Sequence, residues 1–198
     1  MKGLFFVIMV ALFGAQVSQA EVPPQFILQW GTPGSGPGQF NGVFYVAVDH
    51  FGNVYVTDID NYRIQKFDSS GNFLLQWGSY GSGTGQFIVP FSVAVDGAGN
   101  VYVSDVGNSN IQKYDSNGNF ILSWGSYGSG NGQFNHVYGL TVSSDGYVYI
   151  TDRDNCRVQK FTTNGTFVLT WGSCGYGDGQ FTNPDSVTTD DLGYVYVT

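Results

Sequence analysis

Tryptophan recurs in this chain at a constant interval of 47 residues, at positions Trp30, Trp77, Trp124 and Trp171. A glycine follows each tryptophan, and a glycine-rich loop then ends in the tripeptide Gly-Gln-Phe, at 38–40, 85–87, 132–134 and 179–181. A period of about 40 to 50 residues is typical of propeller and solenoid architectures, in which each repeat is one small structural unit. The chain is therefore a tandem array, and no motif can be interpreted apart from its copies.

Each repeat contains four short segments that we interpret as strands, and the second shows the clearest alternation of β-branched and aromatic residues. The first segments are Val43–Asp49, Ser92–Asp96, Gly139–Ser143 and Ser186–Asp190. The second segments are Asn53–Asp58, Asn100–Asp105, Tyr147–Asp152 and Tyr194–Thr198. The third segments are Arg63–Phe67, Asn110–Tyr114 and Arg157–Phe161. The fourth segments are Phe26–Trp30, Phe73–Trp77, Phe120–Trp124 and Phe167–Trp171.

Glycine and asparagine mark the turns between these segments. Pairs such as Gly71-Asn72 and Gly118-Asn119 link the third and fourth segments, and pairs such as Gly52-Asn53 link the first and second. Both residue types tolerate the positive φ that tight hairpins require. Each repeat is thus predicted to be a four-stranded antiparallel meander. The fold class is all-β, a β-propeller whose blades bury one another's side chains.

The segment 55–68, followed by Gly71 and Trp77, resembles an NHL repeat, and so do the segments that begin at Tyr102 and Tyr149. The resemblance covers essentially the whole chain after its N-terminal leader. It implies a β-propeller, most often of six blades, that serves as a binding platform. Members of the family include ubiquitin ligases whose propellers bind RNA or protein, sensor domains of bacterial kinases, and peptide-amidating lyases.

The repeats divide into 26–72, 73–119, 120–166 and a partial 167–198. These provide about three and a half blades, whereas a six-bladed ring of this period needs about 280 residues. By analogy with the family, Phe26–Trp30 belongs to the blade that closes the ring. We expect an incomplete ring and a fragment of a longer protein. The alternatives are a distorted four-bladed ring, or an open arc that self-associates through uncovered strand edges and blade faces.

The first twenty residues differ in kind from the repeats. Lys2 precedes an apolar run, Leu4–Phe13, that is too short to span a bilayer, and small residues follow up to Ala20. This pattern predicts a cleaved signal peptide over 1–20 and a secreted propeller segment, 21–198, in an extracellular or periplasmic location; an uncleaved anchor is the alternative. The net charge of −8 argues against nucleic acid as a partner.

The two cysteines, Cys156 and Cys174, fall in loops that a meander places on the same face of the propeller. Because export permits oxidation, we expect them to form a disulfide. The two histidines, His50 and His136, occupy different registers on opposite faces. A zinc lyase of the amidating type needs several converging ligands, so we expect no metal, no cofactor and no enzyme.

A polar motif recurs in the loop after each second strand. Its copies are Asp58, Asn61 and Arg63, then Asp105, Asn108 and Asn110, then Asp152, Asn155 and Arg157. One interpretation is structural, with the acidic and amide side chains satisfying loop backbone groups and arginine pairing with a carboxylate. In the other interpretation, the carboxylates around the axis bind a cation or a basic ligand.

Tyr80 and Tyr127 lie in the glycine-rich loops, where their rings either grip a peptide or sugar or pack between blades. We therefore expect a secreted binding or scaffold module that recognises a protein, peptide or glycan ligand through loops on one face. The candidate ligand-binding residues are these two tyrosines and the residues of the polar motif other than Asn110. The alternatives are a propeller enzyme of the metal-dependent lyase or hydrolase type and the sensor ectodomain of a membrane protein.

Overall fold

The computed structural model describes residues 25–198, so the expected signal peptide lies outside the described residues. Short strands dominate the described chain, and one turn of 3₁₀ helix occupies Ile59–Asn61. Three antiparallel sheets of four strands follow one another along the chain, one for each complete repeat. Between residues 25 and 198, no helix is long and apolar enough to cross a membrane.

The strands have the following bounds. In the first glycine-rich loop, β1 (Thr32–Pro33) pairs in parallel with β2 (Gln39–Phe40). Blade 1 consists of β3 (Val43–Val48), β4 (Val54–Asp58), β5 (Arg63–Phe67) and β6 (Phe73–Trp77). Blade 2 consists of β7 (Pro90–Val95), β8 (Val101–Asp105), β9 (Asn110–Tyr114) and β10 (Phe120–Trp124). Blade 3 consists of β11 (Val137–Val142), β12 (Tyr147–Asp152), β13 (Arg157–Thr162) and β14 (Phe167–Trp171). A hairpin of β15 (Val187–Thr189) and β16 (Val195–Val197) follows.

Within each blade, strands that are consecutive in sequence are neighbours in the sheet, in the orders β3-β4-β5-β6, β7-β8-β9-β10 and β11-β12-β13-β14. The turn before each fourth strand contains a glycine with positive φ, which is 79° at Gly71, 78° at Gly118 and 76° at Gly165. These φ values suit glycine because it has no Cβ to clash. The predicted all-β meander, with successive four-stranded blades, is confirmed.

The apolar core lies between blades rather than within them. Tyr55 and Ile64 of blade 1 pack in one cluster with Val101 and Val103 of blade 2. A second cluster joins blades 2 and 3 in the same way. The first strands of successive blades lie side by side, with β3 next to β7 and β7 next to β11. Since each cluster draws on two blades, a blade depends on its neighbour for burial.

The tryptophans account for the 47-residue period. The indole rings of Trp30, Trp77 and Trp124 each cover the turn glycine of the blade that follows. A Cβ added to that glycine would lie within about 3 Å of the ring, for the pairs Gly71 with Trp30, Gly118 with Trp77 and Gly165 with Trp124. Glycine and tryptophan therefore repeat together, because one provides the space that the other fills.

The expected strand at Phe26–Trp30 is wrong, since residues 25–30 have no strand conformation. A strand needs a partner, and no described strand lies beside this segment. Trp30 nevertheless occupies its expected place, with its ring centroid 5.9 Å from that of Phe67. Two of the first strands also begin earlier than predicted, at Pro90 and Val137, because an irregular register extends the pairing.

Candidate functional site

The loops with the candidate residues lie together at one end of the blades, which we call the loop face. The loop face consists of the loops between second and third strands (59–62, 106–109, 153–156) and the glycine-rich loops (31–39, 78–86, 125–133, 172–180). The two kinds of loop touch directly, since the rings of Tyr62 and Tyr80 are 4.9 Å apart and Cys156 is bonded to Cys174. The predicted disulfide is confirmed.

Asp58, at the end of β4, is completely buried and is surrounded by donors. The Asn41 backbone N–H donates to Asp58 Oδ1 at 2.7 Å. Arg63 Nε and Asn61 Nδ2 donate to Oδ2 at 2.8 and 2.9 Å. Burial of a carboxylate is tolerated here because a paired cation and several hydrogen bonds replace its water. The Asp58 carboxylate thus serves the loop itself, as in the structural interpretation of the motif.

Arg63 also connects its blade to the glycine-rich loop that precedes it. Its Nη1 donates to the carbonyl oxygen of Ser35 at 2.7 Å, and its Nη2 donates to those of Gly36 and Gln39 at 2.9 and 2.8 Å. We call this set of contacts, from the aspartate through the guanidinium to the loop carbonyls, the arginine clamp. The planar guanidinium suits it because several N–H donors point outward in a fixed fork.

Blade 3 repeats the arginine clamp. Arg157 Nε donates to Oδ2 of the buried Asp152 at 2.7 Å, and its Nη2 donates to the carbonyl oxygens of Gly130 and Gln133 at 2.7 and 3.0 Å. Asn155 Nδ2 donates to both oxygens of Asp152 at 2.9 Å. Arg157, Asn155 and Asp152 are thus brought together within one blade, as Arg63, Asn61 and Asp58 are in blade 1.

Blade 2 has no arginine clamp, because Asn110 occupies the position of the arginine. Asp105 is completely buried and accepts hydrogen bonds from Asn108 Nδ2 and the backbone N–H groups of Ile88 and Val89. Within residues 25–198, no cationic side chain pairs with it. Asn110 Oδ1 is also buried and has no hydrogen-bond partner among the described residues.

Besides burial, the negative charge of Asp105 affects the pKa of the neighbouring phenol of Tyr114. Burial and, after it, the negative charge of Asp105 raise the pKa of Tyr114, whose hydroxyl donates to Gln112 Oε1 at 2.7 Å. A phenolate beside an existing negative charge is disfavoured, which is the physical cause of the second contribution.

A second position varies between the blades, namely the last residue of each loop between second and third strands. Tyr62, Ser109 and Cys156 have φ values of 56°, 53° and 52°, so all three adopt the left-handed conformation. Tyr62 packs against Tyr80, and Cys156 is bonded to Cys174. The equivalent residues of blade 2 are Ser109, with a small side chain, and Tyr127. The backbone is the same in all three blades, and only the side-chain pair across the two loops differs.

The candidate tyrosines are exposed on the loop face, with Tyr80 at 64% and Tyr127 at 72%. Tyr176 in the next glycine-rich loop is exposed at 95%. Tyr80 leans on Tyr62, whereas no aromatic ring of the described chain packs against Tyr127. Of the two interpretations given to these tyrosines, packing between blades does not describe Tyr127. Ligand binding by the tyrosines and the polar motif stays a prediction.

The histidines do not converge. His136 lies on the loop face and its Nδ1 is 2.7 Å from Asp154 Oδ2, whereas His50 packs beside Phe51 in a turn between first and second strands. In the part of the chain that the structure describes, no group of three or more His, Cys, Asp or Glu side chains could hold a metal ion.

The sequence matches the family model of the NHL repeat at residues 134–161, which run from the end of one glycine-rich loop to β13. This segment contains the third copy of the polar motif, and the 47-residue period repeats it through the chain. Residues 134–161 therefore match an NHL repeat, within a run of four-stranded blades of β-propeller type. No curated protein matches its sequence.

The fold of the chain is similar to that of several solved structures. Streptogramin B lyase aligns with a TM-score of 0.62 at 18% identity, over 79% of this chain and 48% of the other. Virginiamycin B lyase from Staphylococcus aureus, in a catalytically inactive form with quinupristin, aligns at 0.61 and 15% identity, again over 79% and 48%. A protein of unknown function from Bacteroides thetaiotaomicron aligns at 0.63 and 22% identity, over 78% and 44%.

These similarities correct the expectation that the chain is not an enzyme. That expectation was wrong, because solved structures with the same fold include lyases. The same scaffold carries different chemistry on different loops, so neither the fold nor the lack of a visible catalytic motif excludes an enzyme. The chain spans about half the length of the structures it matches.

Sequence reasoning grouped Asn110 with the polar motif but missed what distinguishes it. The signal was present, since asparagine replaces arginine in the middle copy alone. Its consequence was not visible, because only the structure shows that the arginine reaches the preceding glycine-rich loop.

Proposed function

We propose that this NHL-repeat propeller is a secreted binding module that recognises a protein, peptide or glycan ligand through its loop face. The observation that carries the proposal is the exposure of Tyr80 and Tyr127, at 64% and 72%, on neighbouring loops of that face. Exposed aromatic rings combine a large apolar contact area with a polar tip, and they are enriched where proteins bind ligands.

The loops that carry these rings are fixed by the blades behind them. Asn108 Nδ2 donates to the carbonyl oxygen of Gly81 at 3.0 Å, and Asn155 Nδ2 donates to that of Gly128 at 2.9 Å. Each loop is therefore tied to the next blade one residue after its tyrosine. Loops that are ordered before binding lose less conformational entropy when a ligand arrives, which favours affinity.

Secretion is proposed on two grounds. The leader has the apolar run Leu4–Phe13 and a small residue at Ala20, as signal peptides do. The disulfide between Cys156 and Cys174 is compatible with an oxidising compartment. Mass spectrometry of the protein from its host would test this proposal. An intact Met1 on the protein found outside the cytoplasm would contradict cleavage.

Binding is tested by screening the chain against peptide and glycan arrays. For a ligand found in this way, we expect Tyr80→Ala and Tyr127→Ala each to weaken binding by about tenfold or more, the size expected for central aromatic contacts. Phe51→Ala is the matched control, because Phe51 is 74% exposed but lies in a turn at the opposite end of the blade. Equal losses for all three variants, or no loss for either tyrosine variant, would contradict recognition by the loop face.

A second candidate function is a lyase activity, which the similarity to streptogramin B lyase and virginiamycin B lyase favours. One of those structures contains quinupristin, so this compound is the first substrate to try. The chain would be incubated with quinupristin and the products analysed by mass spectrometry. Conversion above that of a heat-unfolded control would support a lyase, and an unchanged compound would argue against activity on this substrate.

A further inference from the structure

The three blades present the same loop to the glycine-rich segment before them, but only two of them insert a guanidinium. In blades 1 and 3, the arginine clamp places Arg63 or Arg157 between a buried carboxylate and two or three loop carbonyl oxygens. The charge of the guanidinium and its fork of N–H groups are both satisfied there. These two blades thus show that the buried carboxylate and the loop carbonyl oxygens together bind a guanidinium.

Blade 2 has the same glutamine, asparagine and loop carbonyl groups around this position but no guanidinium. Gln112 Nε2 donates to the Gln86 carbonyl at 2.7 Å, as Gln159 Nε2 does to the Gln133 carbonyl at 2.7 Å in blade 3. Asn108 also holds its loop carbonyl at 3.0 Å, as Asn155 does at 2.9 Å. The glycine-rich loop therefore sits in the same place relative to the blade, although the arginine that bridges them elsewhere is missing.

Apart from the side-chain N–H groups of Asn110, the groups left at this position are acceptors. The buried carboxylate of Asp105 has no cationic partner in the described chain, and the buried Asn110 Oδ1 accepts no hydrogen bond there. The equivalents of the carbonyls that accept from Arg63 belong to Ser82, Gly83 and Gln86, of which the Gln86 carbonyl accepts from Gln112 Nε2. A buried carboxylate without a counter-charge and an unsatisfied acceptor both carry a free-energy cost, which a bound donor with positive charge would relieve.

We propose that blade 2 is a binding site for the guanidinium of an arginine side chain on a peptide ligand. The bound guanidinium donates to Asp105, to Asn110 Oδ1 and to the carbonyl oxygens of Ser82 and Gly83, and so supplies from the ligand what blades 1 and 3 supply from their own sequence. The proposal rests on the proposed function, because it names the ligand class that the loop face recognises.

The rim of this position faces solvent on the loop face, and the Asp105 carboxylate and Asn110 Oδ1 lie buried beneath it. Asn110 is partly exposed, and Ser82 and Gly83 are exposed. The small Ser109 beside it leaves Tyr127 without a packing partner. The two loops are close, since a Cβ added to Gly125 would lie 3.0 Å from the Ser109 carbonyl oxygen. Tyr127 follows two residues after Gly125 on the same loop, and its ring is 72% exposed, so it is available to the residue next to the ligand's arginine.

The geometry favours arginine over other cations. Lysine has a compact ammonium without the planar fork that reaches a carboxylate and several carbonyls at once. Calcium takes six to eight oxygen ligands. The Asp105 oxygens already accept hydrogen bonds from Ile88, Val89 and Asn108, which leaves few lone pairs for a metal ion. The two filled blades, in contrast, contain the guanidinium in these same surroundings.

The decisive variant is Asn110→Arg, which places in blade 2 the residue that blades 1 and 3 already have. We expect it to fold, to unfold at a higher temperature than the original protein, and to lose the ligand site. The probe is the tripeptide acetyl-Gly-Arg-Gly-amide, compared with acetyl-Gly-citrulline-Gly-amide, whose side chain has the same shape without the charge. Binding is followed in NMR titrations by chemical shifts of the Asn108 side-chain amide, which the original protein and the Asn110→Arg variant both keep.

The arginine tripeptide is expected to bind at least about tenfold more tightly than the citrulline tripeptide, since charge-assisted hydrogen bonds are about twice as strong as neutral ones. The Asn110→Arg variant is expected to show no such preference. Equal affinities for the two tripeptides, or an unchanged preference in Asn110→Arg, would overturn the proposal. So would full competition by calcium or sodium alone.

The variants also separate this inference from the proposed function. If Tyr80→Ala and Tyr127→Ala weaken an array ligand while the arginine tripeptide shows no preference, the guanidinium site is wrong and the loop face still binds. If the tripeptide binds and only Asn110→Arg abolishes that binding, the site stands without the tyrosines. Arg157→Asn provides a second readout, because it should open the same position in blade 3 and raise the stoichiometry to two.

Discussion

Blades 2 and 3 share one backbone but differ at both ends. On the loop face, blade 3 has the clamp between Arg157 and Asp152 and a disulfide at Cys156, whereas blade 2 has Asn110 and Ser109 at the same places. At the opposite end, blade 2 rather than blade 3 has the charged side chain. The turn before β10 is organised by Asp115, and the equivalent turn in blade 3 has only a threonine.

The difference shows which contacts make the fold and which do not. Both blades keep the tryptophan over the turn glycine, the buried aspartate at the end of the second strand and the left-handed loop residue, with φ of 53° and 52°. These features recur because each satisfies a steric or hydrogen-bonding need of the backbone. The arginine clamp and the disulfide differ between the two blades although these shared features do not, so they are available for local stability and for binding.

The largest effect is expected from turning blade 3 into a copy of blade 2. Arg157→Asn removes the cation from Asp152, which is completely buried. Breaking a buried pair by removing one partner costs about 3 to 5 kcal/mol, because the remaining charge is left in a poorly solvated place. We expect urea unfolding, followed by tryptophan fluorescence, to show a loss of this size in the free energy of unfolding.

Arg153→Asn is the matched control in the same blade. Arg153 pairs with Asp185 at 2.9 Å on the surface, where side chains are 31% and 60% exposed. Exposed pairs contribute about 0 to 1 kcal/mol. Equal losses of unfolding free energy for the two variants would show that the arginine clamp is no stronger than a surface ion pair. The absence of the clamp from blade 2 would then have no effect on stability.

The fold was largely predictable because its rules are local. Alternating segments such as Val54–Asp58, turn glycines such as Gly71 and the tryptophan interval each specify a strand, a hairpin and a packing contact. The pairing of Cys156 with Cys174 followed from the direction of the strands alone. These inferences need only contacts between neighbouring segments, and the repeats provide several copies of each contact.

The remaining features depend on contacts that the sequence does not display. Phe26–Trp30 has the composition of a strand, but a strand also requires a partner in space. The role of Asn110 depends on a loop carbonyl that its arginine counterpart reaches from 27 residues away. The exclusion of an enzyme failed because a fold does not determine the chemistry of its loops.

The disulfide is expected to have the next largest effect. Replacing both Cys156 and Cys174 with serine gives blade 3 the uncrosslinked loops of blade 2. The cysteines are separated by 18 residues, and closing a loop of about that length stabilises a protein by about 3 kcal/mol in the chain-entropy model. Urea unfolding under non-reducing conditions measures the loss.

Blade 2 supplies the complementary experiment. Ser109 and Tyr127 occupy the backbone positions of the two cysteines, so the double variant Ser109→Cys and Tyr127→Cys should form a second disulfide and gain on the order of 2 to 3 kcal/mol. If the thiols stay free in an oxidised preparation, the loops of blades 2 and 3 are not equivalent and the comparison fails.

The smallest effect concerns pH at the opposite end of the blades. Hydrogen bonds from Asn119, first from its side chain and then from its backbone N–H, hold the pKa of Asp115 below its usual value of 3.8. A carboxyl whose pKa is lower in the folded state stabilises the protein above the unfolded pKa, and this stabilisation is lost as pH falls through the folded pKa. The turn of blade 2 should therefore loosen below about pH 4.

Blade 3 should not respond in the same window, since its turn has Thr162 in place of the aspartate, and Thr162 Oγ1 accepts the Thr166 N–H at 3.2 Å. The Asn119 N–H, which donates to Asp115 Oδ1 at 2.9 Å, is the matching probe in blade 2. We expect the hydrogen-exchange protection factor of Asn119 to fall between pH 5 and pH 2 by about two- to tenfold while that of Thr166 stays level. A parallel fall of both amides would mean that acid loosens the propeller as a whole, because a threonine hydroxyl does not titrate and gives blade 3 no reason of its own to open.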